Sequence, residues 1–156
     1  MTDDLTTSVA SALSRALGQP VQIRGRLPLG GGSISLVERL ETSAGIFVLK
    51  TNPDAPGGMF LAEADGLAAL RRSGTSLVIP RVIHVEDGAA RFLLLEYLAS
   101  GPKARDGDEA LGRGLAELHQ ARAARFGFDT DNFCGATPQP NPWTDRWIDF
   151  YADARL

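Results

Sequence analysis

Residues 46–70 read IFVLKTNPDAPGGMFLAEADGLAAL, and the fold turns on how this stretch is parsed. Ile46 to Thr51 is an apolar run of strand length, and alternation puts Lys50 on the same face as Ile46 and Val48. Asn52 to Gly58 holds two prolines and two glycines and reads as a loop. Met59 to Arg72 has helical spacing and stops at Ser73-Gly74. Phe60, Leu67 and Leu70 mark the buried stripe of that helix. Glu63 comes three residues after Phe60 and four before Leu67, so it falls on the same stripe. Alone, Lys50 reads equally well as an edge lysine with its head in water, and Glu63 as a side chain flaring to the stripe's margin. Together they answer one another, because a carboxylate on a buried stripe needs a cation.

Working back towards the N-terminus, Val21 to Leu29 alternates as a strand, Gly30, Gly31 and Gly32 follow, and residues 33–42 alternate again. Thr42-Ser43-Ala44-Gly45 is a turn into the Lys50 strand, so three strands form an antiparallel meander. Before them, Leu5, Val9, Leu13 and Leu17 recur every four residues, which predicts a helix over 3–17 closed by Gly18 and Pro20. Working forward, Val82 to Val85 and Arg91 to Tyr97 are two short strands around a turn at Asp87-Gly88. Residues 1–97 thus order as helix, three strands, helix, two strands: an α+β lobe on a five-stranded antiparallel sheet. Residues 98–107 are a Gly/Pro/Ser linker. Residues 108–156 begin a mainly helical second part, with a helix over 108–122 (Leu111, Leu115, Leu118), an irregular segment over 126–143 and a helix from Thr144 to Leu156. The chain ends inside that last helix, where Trp147, Phe150 and Tyr151 need something to pack on. The expectation is a truncated chain.

Composition narrows the function classes. The net charge is −3 with no basic tract, which argues against nucleic acid. The N-terminus is acidic where a secretion signal is basic, and no apolar run reaches the ~20 residues that span a bilayer. One cysteine, Cys134, forms no internal disulfide or metal cluster. A soluble cytoplasmic protein without a membrane partner is expected, and the oligomeric state is left open. There are 14 arginines and two lysines, Lys50 and Lys103, so each lysine asks for a reason. A compact ammonium suits phosphate oxygens in a tight site.

Three glycines between two strands let the backbone approach a ligand and aim N–H groups at phosphate oxygens; they serve a flexible hairpin turn equally well. A dinucleotide-type glycine motif needs a helix next, and a strand follows instead. A glycine loop between strands one and two, a lysine on strand three and a glutamate on the next helix is the order used by eukaryotic-type kinases, whose lysine holds nucleotide phosphates and whose glutamate fixes the lysine. The candidate ATP-binding residues are Gly30, Gly31, Gly32, Ser33, Ile34, Ser35, Lys50 and Glu63. Backbone groups of Glu96, Tyr97 and Leu98, after FLLLEYL, would meet the adenine edge.

The segments GGGSIS, FVLKTN, MFLAEADGLAAL, FLLLEYL, LGRGLAELHQ and FGFDTDNFCGATPQPNPWTDRWIDFYADARL resemble the fructosamine kinase family from about residue 21 onward. The last block is the most specific, because kinases at large do not share it. The resemblance implies a protein-kinase-like N-lobe followed by the start of a helical C-lobe. It also implies ATP and Mg2+, and phosphorylation of the sugar of ketosamines, small or protein-bound. By resemblance alone, Phe133 and Trp143 line the acceptor pocket, and Ser33 stands where some relatives carry cysteine.

The family's His-Gly-Asp catalytic segment is not found: His84 is followed by Val85-Glu86 and His119 by Gln120-Ala121. No catalytic residue or metal ligand is therefore assigned, and the chain alone is expected to be inactive, the missing Mg2+ ligands belonging to an absent region. Asp129 and Asp131 read as turn residues, His119 as a packing residue on the Leu115 side, and Trp143 and Trp147, four apart, as core packing. Two alternatives stay open: an inactive product or interaction module of the same fold, and an aminoglycoside- or choline-type phosphotransferase, against which the TPQ block argues.

Overall fold

A computed structural model describes residues 2–30, 34–102 and 104–156. The described chain divides into two compact units, residues 1–64 with 80–98, and residues 65–79 with 99–156. The boundary falls within the helix that follows the Lys50 strand.

The first unit begins with α1 (Thr2–Leu17). Its four-residue stripe points inward: Val9, Ala12 and Leu13 are fully buried, with Leu5 and Leu17 packed beside them. At its end the Ser14 hydroxyl donates to Ala10 O (2.7 Å) and accepts from Val21 N (2.9 Å), turning the chain towards the sheet. The strands are β1 (Ile23–Leu29), β2 (Leu36–Thr42), β3 (Gly45–Thr51), β4 (Val82–Asp87) and β5 (Arg91–Glu96). They form one antiparallel sheet in the order β1-β2-β3-β5-β4. The meander accounts for the first three. The chain then leaves through α2 (Met59–Arg72), lays β4 at the far edge, and returns with β5 between β4 and β3.

Alternation sorts the two sheet faces. Leu40, Phe47, Leu49, Phe92 and Leu94 bury against α1 and make the core with Val9, Leu13 and Val21. Glu38 lies on this face too, only 7% exposed, and forms a two-pronged ion pair with Arg26 across the β1–β2 ladder. Buried charge is held by a paired guanidinium, the geometry that makes such burial tolerable. The opposite face carries Val37, Val48, Lys50, Leu93 and Leu95.

The second unit holds α3 (Gly107–Gln120), a small hairpin of β6 (Asn132–Cys134) and β7 (Thr137–Gln139), and α4 (Trp147–Arg155). The hairpin lies inside the segment expected to be irregular. Strands of three residues are too short to show alternation. The last helix starts at Trp147 rather than Thr144, because Thr144 exchanges both backbone hydrogen bonds with Phe126 (2.9 and 2.7 Å). Trp143 therefore does not sit one helical turn before Trp147, and both rings are at least a third exposed. The core-packing expectation is corrected for this pair: Trp147, itself half-exposed, meets the exposed Phe126 and Tyr151 and the buried Phe150. On α3 only Gly114 is buried. Residues 75–77 cover it, with Thr75 Oγ1 donating to Gly114 O (2.6 Å) and Ser76 N to Glu117 (2.6 Å). The Ser76 hydroxyl and N–H hold the Glu117 carboxyl below its ordinary value. Leu111, Leu115 and His119 remain exposed, so the packing role expected of His119 is also corrected: the cover over this face stops short of it.

Candidate functional site

Lys50 occupies the middle strand of the meander's sheet, directly between Val37 of β2 and Leu93 of β5. Flanking apolar side chains leave its ammonium one way to go, outward over the face towards α2. There its Nζ lies 2.6 and 2.7 Å from the two carboxylate oxygens of Glu63. Phe60, three residues earlier on α2, is 1% exposed and seats the helix, which brings Glu63 round to the sheet. The Lys50 and Glu63 side chains are 23% and 32% exposed. An ammonium has three N–H donors and a carboxylate has acceptors only. Two contacts to Glu63 leave Lys50 an N–H free for a second anion.

Around this pair the face carries an apolar strip and, on β2, the cation of Arg39. Val48 is flanked by Arg39 on β2 and Leu95 on β5. The Arg39 guanidinium pairs with Glu41 and lies 5.4 Å from the Tyr97 ring centre. Arg39 was not singled out from the sequence, although strand alternation from Val37 places it on the Lys50 face. Glu96 closes β5. Its N–H donates to Arg81 O (2.9 Å) and its carboxylate accepts from Arg81 N (3.1 Å), so its side chain fastens the β4–β5 edge. Tyr97 and Leu98 continue beyond the ladder, and Leu98 is exposed.

The β1–β2 connection brings Gly30, Ile34 and Ser35 to the end of the same two strands, with Ile34 exposed. Gly31, Gly32 and Ser33 lie outside the described residues.

In the second unit Phe133 is half-buried on β6, and Trp143 is 36% exposed with its carbonyl accepting from Arg125 (2.9 Å). Asp131 Oδ1 accepts from Asn141 N (2.7 Å), and the buried Asn141 donates to Thr130 O (3.0 Å), so Asp131 braces a turn. Cys134 is a free, exposed thiol. Among the described residues, no three His, Cys, Asp or Glu side chains converge as a metal site would need. No described helix is long and apolar enough to cross a membrane.

Comparison with known proteins places this geometry in context. The family model described as fructosamine kinase matches residues 5–156. A "Probable ketoamine kinase" of Synechocystis sp. is 40% identical over 150 residues, covering 96% of this chain and 51% of that protein. A chloroplastic protein-ribulosamine 3-kinase of Arabidopsis thaliana is 37% identical over 142 residues, covering 89% of this chain and 43% of that one. Among solved structures, a "Putative fructosamine-3-kinase" from Haemophilus somnus superposes with a TM-score of 0.83 at 27% identity, over 95% of this chain and 50% of that one. Another from Thermobifida fusca gives 0.77 at 32% identity, over 96% and 51%. The chain spans about half the length of the relatives it matches.

Proposed function

The chain belongs to the fructosamine kinase family, and from that premise we propose that it is the ATP-binding part of a kinase acting on the sugar of ketosamines, free or carried on protein amines. The observation that carries the reading is the Lys50–Glu63 pair on the open face of the sheet. In this reading Glu63 holds the ammonium in place and the free N–H of Lys50 meets a phosphate oxygen. Backbone N–H groups from Gly30 to Ser35 cradle the phosphates. Val37, Val48 and Leu95 offer the adenine ring an apolar bed, and main-chain groups of Glu96, Tyr97 and Leu98 meet its polar edge. The Glu96 carboxylate and N–H are already engaged with Arg81, so only the carbonyl of that residue is available. Phe133 and Trp143 belong to the acceptor side on family resemblance.

Magnesium accompanies ATP in phosphoryl transfer and neutralises its charge. The residues described do not offer it a converging set of carboxylates, so no step is assigned through the metal. Nor do the 156 residues contain His-Gly-Asp, the segment that would take the acceptor's proton. The role left to this chain is to bind and orient the nucleotide.

The test is an ATP titration of the 156-residue protein followed by amide chemical shifts. Shifts are expected over residues 30–35, around Lys50, and over residues 96–98. Lys50→Ala should weaken binding about tenfold or more, the scale of a lost hydrogen bond to a charged group. Shifts confined to residues 108–156, or an unchanged affinity in Lys50→Ala, would sink the assignment.

A further inference from the structure

The two members of the Lys50–Glu63 pair stand on either side of one loop. Lys50 is the penultimate residue of β3, and Glu63 lies five residues past Gly58, the last residue before α2. The loop between, 52–58, has two prolines and two glycines and pairs with no strand. Something must fix it, or the distance from Lys50 to Glu63 would wander.

Two charged residues at the β4–β5 turn do this. Asp87 Oδ2 accepts from Gly58 N (2.9 Å), and Arg91 donates to Ala55 O (2.7 Å). Gly58 is where α2 starts: its carbonyl accepts from Ala62 N (2.8 Å), and its φ of +83° is one that glycine adopts without strain. Ala55, the other anchor, is 2% exposed. Asp87 and Arg91 face each other as the last pair of the β4–β5 ladder, with Nε and Oδ1 3.9 Å apart. Those two atoms are buried and make no hydrogen bond among the described residues. Burying charged atoms without hydrogen bonds is costly. Their useful contacts are the other ones, to the two backbone groups of the loop. A carboxylate at the start of α2 also faces the positive end of the helix dipole.

We propose that Asp87 and Arg91 are positioning residues for the Lys50–Glu63 pair: they latch the 52–58 loop to the β4–β5 turn and so set where α2 begins and where Glu63 arrives. What the pair does rests on the nucleotide reading above; how it is held does not.

The chain has two lysines, so in a Lys103→Arg background the Lys50 ammonium gives the single lysine side-chain NMR signal, read without nucleotide. Glu63→Gln sets the shift that accompanies loss of the pair. Asp87→Ala should move the Lys50 signal in the same direction. Asp87→Asn, which keeps an acceptor for Gly58 N, should leave it near its starting position. ATP affinity should fall about fivefold in Asp87→Ala, the usual scale of coupling through a positioning contact, and recover in Asp87→Asn. An unmoved Lys50 signal in folded Asp87→Ala overturns the latch, as does an equal movement in Asp87→Asn. Should Asp87→Ala not fold, Arg91→Met, which removes the donor to Ala55 O and adds no lysine, decides on the same signal: movement supports the latch, and none overturns it. If Asp87→Ala moves the Lys50 signal while neither it nor Lys50→Ala alters ATP affinity, the nucleotide reading fails and the latch stands.

Discussion

Lys50 and Glu63 are each more than half shielded, and each owes its tolerance of that position to the other. Removing one leaves a partly desolvated charge, whereas removing both leaves an apolar contact. Glu63→Leu alone is expected to cost about 1–2 kcal/mol in urea unfolding, less than for a fully buried pair because water still reaches both side chains. The double variant Lys50→Met/Glu63→Leu should be no less stable than Glu63→Leu. Strictly additive losses would mean that the two charges do not depend on each other. This pairing is legible in the sequence, because Glu63 falls between Phe60 and Leu67 on a helical stripe and Lys50 stands near the end of the strand just before. Asp87 was not legible. Its partner is a backbone N–H 29 residues earlier, and no side-chain pattern encodes a main-chain donor.

Elements differ in how strongly their residues announce them. The α1 stripe, the meander and α2 have long periodic patterns, and their bounds lie within a few residues of those the spacing predicts. The β6–β7 hairpin and the late start of α4 do not: three-residue strands are too short to show alternation, and the start of α4 depends on a contact remote in sequence. Gly127 shows how. It sits beside the Phe126–Thr144 bridge with φ +145°, and a Cβ there would come within 2.6 Å of Pro142 O and 2.9 Å of Trp143 Cα. Backbone cannot step aside as a side chain can. Gly127→Ala should therefore cost about 2–3 kcal/mol, combining backbone strain with the clash. Gly135, at the tip of the β6–β7 hairpin, has φ +63° and open space around it. Gly135→Ala should cost only about 1–2 kcal/mol, the left-handed penalty alone. Urea midpoints of the two variants, with the β6–β7 amides as reporters, separate the cases; equal losses would show that the approach to Pro142 is not what Gly127 serves.

Across the whole molecule, chemistry is limited by which groups the 156 residues contain. Phosphoryl transfer needs the nucleotide positioned, its charge neutralised, and the acceptor hydroxyl oriented towards a base. In the proposed reading, the pair on β3 and α2 serves the first of these and part of the second. For the third, the chain has two histidines, neither followed by Gly-Asp. His84 Nε2 is buried against Phe92, while His119 stands exposed on α3. Asp131 is committed to Asn141. The 156-residue polypeptide is therefore expected to transfer no labelled γ-phosphate from ATP to a fructosyl-lysine above background, even where it binds ATP. A longer polypeptide joining these residues to a His-Gly-Asp segment of a family relative should transfer it. Lys50→Ala in that longer chain should lower turnover about 100-fold or more, the scale of losing one preorganised electrostatic contact. With each polypeptide saturated with ATP, a difference in turnover reports what the added segment supplies to transfer and not how tightly the nucleotide is held. Robust transfer by the 156 residues themselves would place the base among them. Asp129 and His119, the exposed candidates whose side chains are not committed to a turn, would then be the positions to substitute first.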